Sequence, residues 1–130
     1  MIAMGNAFDS LAGLSLEWTG VHHSESGDFS ELSTHIVSYE TERECYVTAG
    51  GKRVGEALYS YKRLDSRMAI VIYRPEVYRG LRGVVLYAML DFENATDRAV
   101  IVADGEPFAV ANGTFRVVQT QLRPSASGND

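Results

Sequence analysis

Glu31, His35, Tyr59, Tyr61, Arg74 and Tyr87 stand at positions from which β-strands would carry them into one interior space. Together they suit proton transfer on a small organic acid. The planar fork of Arg74 matches a carboxylate through two parallel hydrogen bonds. A desolvated Glu31 or a neutral His35 then moves the proton, while tyrosine hydroxyls, that of Tyr59 foremost, donate to a developing enolate or phenolate oxygen. Tyr61, Tyr87 and the single tryptophan, Trp18, complete the expected binding surface. Such a site serves a decarboxylation, an isomerisation or a cyclisation whose transition state needs shape more than covalent chemistry, and it calls for no cofactor. The expected ligand is a small hydrophobic or aromatic carboxylate. In the competing reading Arg74 ends its strand in water, Glu31 and His35 lie on an outer face, and the tyrosines pack as amphipathic strand residues. The alternative function is a lipocalin-like binding module of the same barrel, which holds such a molecule without changing it.

Other chemistries find no support in the sequence. His22 and His23 are neighbours, and adjacent strand residues point to opposite faces, so they cannot chelate one ion from a regular strand; no metal site is expected. A single cysteine, Cys45, excludes an internal disulfide and any CxxC zinc pattern, and points to a reducing, cytoplasmic setting. There is no GxSxG nucleophile turn and no glycine loop that follows a strand and opens a helix, which removes acyl transfer and nucleotide hydrolysis. Twelve Lys and Arg against 17 Asp and Glu give a net charge of −5 with no basic cluster, so nucleic acid is not an expected partner. Apolar runs are too short to cross a membrane as a helix, and the first residues lack the pattern of a secretory signal. Asn94-Ala95-Thr96 and Asn112-Gly113-Thr114 match the glycosylation pattern but read as turns.

The elements that would position these groups are strands. Short stretches rich in Val, Ile, Tyr, Phe and Thr are separated by turn residues at Ser26-Gly27-Asp28, Gly50-Gly51, Leu64-Asp65-Ser66, Gly80 to Gly83, Asn94 to Asp97, Asp104-Gly105 and Asn112-Gly113. The Asp-Gly and Asn-Gly pairs suit type I′ hairpins, whose two central residues need positive φ. Strands are predicted near 15–23, 29–38, 43–49, 54–63, 67–74, 83–93, 98–104 and 114–121, with a short ninth at 107–111. So many strands in 130 residues leave no room for crossover helices, and a sheet joined by hairpins must close or pack on itself. The expectation is one all-β domain: a small antiparallel up-and-down barrel of eight or nine strands, with a two-sheet sandwich as the alternative. Asn6 to Ala12 is predicted to make a helical turn, N-capped by Asn6, that plugs one end. Ser125 to Asp130 reads as a tail. The sixth strand is apolar on both faces, with Leu86, Ala88 and Leu90 against Val85, Tyr87 and Met89, which suggests a homodimer surface.

The order of elements resembles a known family. Phe8 to Trp18 (FDSLAGLSLEW), Tyr46 to Gly51 (YVTAGG), Gly55 to Tyr59 (GEALY), Ile70 to Pro75 (IVIYRP), Leu90 to Asn94 (LDFEN) and Gly113 to Phe115 resemble the molybdenum-cofactor biosynthesis protein F (MoaF) family. More distantly they resemble the phenolic acid decarboxylases. The resemblance covers about residues 8 to 120 and implies a lipocalin-like, calycin-type barrel that works on a small molecule inside it. The decarboxylases' Trp-Thr-Glu-Pro strand end has only Tyr73-Arg74-Pro75-Glu76 as its counterpart, with order and types changed. That departure speaks against decarboxylation of a hydroxycinnamate.

Overall fold

A computed structural model describes residues 6–24 and 32–119. Eight strands follow one another in sequence: β1 (Ser15–Ser24), β2 (Leu32–Tyr39), β3 (Glu44–Ala49), β4 (Lys52–Arg63), β5 (Met68–Pro75), β6 (Val85–Asp91), β7 (Thr96–Ala103) and β8 (Glu106–Val118). Each pairs antiparallel with the next, and β8 returns to pair with β1, so the sheet closes into an up-and-down barrel. Closure removes every unpaired edge, which is why a sheet built only of hairpins is stable here without covering helices. No helix long and apolar enough to cross a membrane occurs among the described residues.

Turn chemistry explains most of the connections. Gly50-Gly51 joins β3 to β4 at φ +61° and +80°, and Asp104-Gly105 joins β7 to β8 at +53° and +77°, the left-handed pair that type I′ hairpins require. Asp65 accepts from the backbone N–H of Arg67 and Met68, both at 2.7 Å, and so fixes the β4–β5 turn. Asn112-Gly113 behaves otherwise. It lies within β8, where Asn112 pairs with Val21 and Gly113 with Gly20, so the predicted 107–111 and 114–121 strands are one strand. Packing accounts for the glycine there: a Cβ on Gly113 would stand 2.4 Å from the Trp18 indole, and one on Gly20 2.6 Å from it. The two glycines open a slot in the wall for the ring. The predicted turn at Asn94 to Asp97 also ends early, since Thr96 and Asp97 already belong to β7 and pair with Asp91 and Leu90.

Residues 6–14 plug one end of the barrel, as expected, but not as a helix. Their backbone donors bind the barrel instead of one another: Ala7 N–H donates to Ser66 O at 2.6 Å and Gly13 N–H to Tyr39 O at 2.7 Å. Leu11 is completely buried, and Phe8 meets Phe92 edge to face at 5.5 Å, Phe92 in turn meeting Phe115 at 5.4 Å. With Leu16, Val71 and Leu90 these residues form the main core. A smaller cluster of Val84, Ile101 and Ala109 packs with Tyr78, Leu86 and Phe108. The outer face of β6 is exposed in this chain, with Tyr87 and Met89 uncovered there.

Candidate functional site

Beyond the plugged end the barrel encloses a hollow. The cavity measures about 500 Å³. Its walls come from alternate residues of the strands, and many of these are small: Ala49, Gly55, Ala57, Ala88, Ala99 and Ala111. Period-two alternation fixes which side chains can enter it, because neighbours along a strand face opposite ways.

Into this apolar space project a few polar groups. On β1 and β2, Trp18 and His35 are cross-strand partners and stack with ring centroids 5.0 Å apart and planes at 30°. His22, four residues further along the same face of β1, lies 5.2 Å from the same indole. The Trp18 Nε1–H donates to the backbone O of Asp97 at 3.0 Å, which ties β1 to β7 over the intervening β8. Tyr39 of β2 and Tyr73 of β5 share a hydrogen bond between their hydroxyls. One hydroxyl donates to the other, so one O–H proton of the pair is left to donate elsewhere.

Burial sets the protonation of these groups. Desolvation lifts the Asp97 carboxyl to about 7, so near neutral pH it exists in both forms. Desolvation, with a smaller push from His22, lowers His35 to about 4 and leaves it a neutral imidazole. Tyr39 and Tyr73 are held well above the ordinary phenol range, chiefly by burial, with the nearby Asp97 charge adding to the effect. Both are therefore neutral hydrogen-bonding groups. Cys45 also lines the cavity, and burial pushes its thiol up to about 12, which leaves it a poor nucleophile. Among the described residues no three His, Cys, Asp or Glu side chains come together as a metal site.

The residues singled out from sequence are distributed unevenly. Trp18 and His35 line the cavity. Tyr59 points inward, but its ring packs against Tyr39 at 4.9 Å and its hydroxyl donates to Thr41 O, on the plugged side. The Tyr61 hydroxyl donates to Phe8 O and ties down the plug. Arg74 pairs with the exposed Leu58 across β4 and reaches Ser60 Oγ at 3.1 Å, so it lies on the outer face and cannot meet a molecule in the barrel. Tyr87 pairs with Ile72 and Val100 on that same outer side and is 43% exposed. Glu31 lies outside the described residues. The groups that sequence reasoning passed over are Asp97, Tyr39 and Tyr73. Their signal was present: Asp97 is two residues before the inward Ala99, Tyr39 two after Val37, and Tyr73 two after Val71.

No family model matches this sequence, and no curated protein matches it. Among solved structures the barrel is similar to one from Burkholderia vietnamiensis described as a "putative beta-lactamase", at a TM-score of 0.57 and 17% identity, over 83% of this chain and 95% of that one. A likeness at this identity supports the barrel fold and leaves the chemistry to be argued from the cavity itself.

Proposed function

We propose that this barrel binds a small, largely apolar organic molecule in its cavity and moves a proton on it without a cofactor, as an isomerase, decarboxylase or cyclase does. The observation that supports this most is the Asp97 carboxyl, which lines the cavity, acts electrostatically on the Tyr39–Tyr73 pair and ionises near 7. A carboxyl balanced at that pH accepts and returns a proton with little driving force wasted in either direction. As carboxylate, Asp97 takes a proton from a carbon next to a carbonyl. The electron pair left behind moves onto the carbonyl oxygen, which the free tyrosine O–H stabilises. Returning the proton to another carbon completes an isomerisation. Loss of CO₂ from a β-keto or vinylogous acid would use the same oxygen site, with Asp97 then delivering the proton.

The test is thermal unfolding with a panel of small aromatic and unsaturated carbonyl compounds and acids, each mixture then analysed by mass spectrometry for isomers or lost CO₂. A ligand at a hundredfold excess over its Kd adds about 2.7 kcal/mol of stability, a shift easily seen. Turnover that disappears in Asp97→Asn while the thermal shift survives supports proton transfer. Stabilisation by a ligand with no product from any compound would instead favour a carrier. Turnover that persists undiminished in Asp97→Asn would remove Asp97 from the reaction.

A further inference from the structure

The end of the barrel opposite the plug contains a turn that breaks the rule its neighbours obey. Tyr78 and Leu81 exchange two backbone hydrogen bonds of 2.8 Å, and between them Arg79 and Gly80 have φ of +51° and +81°. This is the left-handed pair seen at Gly50-Gly51 and Asp104-Gly105, where glycine or aspartate takes the first place. Arginine is poorly suited to that place, because its Cβ crowds the backbone when φ is positive. Backbone strain of this kind clusters at catalytic and ligand-binding sites. Arg79 is also the one Lys or Arg among the described residues that lines the cavity. Its guanidinium lies close enough to His22 to lower that imidazole's proton affinity, second only to burial, and it shares a hydrogen bond with the Tyr78 phenol. Two acidic groups also line the cavity, Asp97 and Glu56, and Glu56 meets Arg53 at 3.4 Å.

We propose that Arg79 is the anion-binding residue of the cavity, and that the molecule taken is an organic carboxylate lying with its charged end at Arg79 and its far end toward Tyr39, Tyr73 and Asp97. The proposal rests on the cavity reading above and adds an orientation to it. It also returns to the fold the carboxylate fork that Arg74, on the outer face, cannot supply.

Two matched dyes test it: 8-anilinonaphthalene-1-sulfonate, which is anionic, and N-phenyl-1-naphthylamine, the same ring system without the sulfonate. Trp18 is the single tryptophan and lines the cavity, so quenching of its emission reports binding, and only the part of it abolished by Ala99→Leu, which fills the cavity, is counted as dye bound inside. Arg79→Gly is the informative variant, since glycine relieves the positive φ and should raise the melting point by about 3 °C rather than unfold the chain. The expected result is an anionic-dye Kd weakened about tenfold, as loss of one charge-assisted contact predicts, with the neutral dye changed less than twofold. Arg79→Lys should fall between. Equal affinities in wild type and Arg79→Gly, or equal losses for both dyes, would overturn the role of Arg79 and leave the cavity standing. If neither dye quenches Trp18 in the wild type, the cavity reading fails, and this proposal with it.

Discussion

The plugged end and the middle of the barrel are built on one sheet with the same alternation, yet one is filled and the other hollow. At the plugged end the inward positions carry Leu16, Val71, Leu90, Phe92 and Phe115, and Leu11 and Phe8 are driven in between them. Further along the same strands the inward positions carry Ala57, Ala88, Ala99 and Ala111, and the space left over is the cavity. Side-chain volume, and not backbone geometry, therefore separates the stabilising half from the binding half. Each large apolar side chain fully buried in the filled half contributes about 1.5–3 kcal/mol. The hollow half forgoes that contribution and in return exposes Asp97, His35 and the tyrosine pair to a guest.

Truncation in the filled half should have the largest effect. Phe92 is completely buried between Phe8 and Phe115, and Phe92→Ala is expected to lose about 3–5 kcal/mol in urea unfolding. A loss below about 1 kcal/mol would mean that the plug is not packed as described.

Charge burial in the hollow half comes next. Asp97 binds its proton more tightly folded than unfolded, so ionising it opposes folding: its penalty is absent below about pH 4 and complete above about pH 7. Asp97→Asn should stabilise the protein by roughly 3–4 kcal/mol at pH 8 and by almost nothing at pH 4. His35 has the opposite sign. Its folded value lies below its unfolded 6.5, so the stability it supports is intact above 6.5 and is lost as pH falls toward 4. Between pH 4 and 6.5 the two slopes oppose each other in the wild type. Relative to it, Asp97→Asn should become more stable with rising pH by up to about 1.4 kcal/mol per unit, and His35→Gln less stable, in unfolding series at pH 4.5, 5.5 and 6.5. Parallel profiles for all three proteins would place both groups in water.

Smaller effects follow at the boundary between the halves. Gly113→Ala forces a methyl against the Trp18 indole and should cost about 1–3 kcal/mol, with a shift in tryptophan emission as the ring moves. Filling the hollow is expected to cost least. Ala99→Leu adds volume where space exists, so its stability should stay within about 1 kcal/mol of wild type while dye binding in the cavity is lost. If Ala99→Leu unfolds the chain, the cavity is not open at that position.

Much of the barrel was legible in the sequence because its hairpins are written in residues that tolerate positive φ. Gly50-Gly51 and Asp104-Gly105 were read correctly for that reason. Asn112-Gly113 looks the same in sequence but has another cause: its glycine makes room for a tryptophan almost a hundred residues away in sequence, a contact that no local pattern records. The helical turn predicted at Asn6 to Ala12 failed for a related reason, as the spacing of Phe8 and Leu11 marks burial without saying whether the backbone bonds itself or the barrel. In the site, Trp18 and His35 were visible as inward positions. Arg74 was misplaced because chemistry was given more weight than alternation, which already set it opposite Tyr73. Asp97 was hidden by the polar turn that precedes it, Glu93-Asn94-Ala95, since a carboxylate beside such a turn reads as part of it.

The pairing of the first strand with the last has a consequence for how the molecule assembles. Every other pair of strands is joined by a short connection and can zip locally, but β1 and β8 meet across nearly the whole chain, so their union carries the greatest loop-closure entropy. Trp18, Gly20 and Gly113 all lie on that seam, and the Trp18 bond to Asp97 reaches over it. The guest chamber thus comes into being only when the cylinder shuts, and a nascent chain that has made seven strands still has nothing to hold.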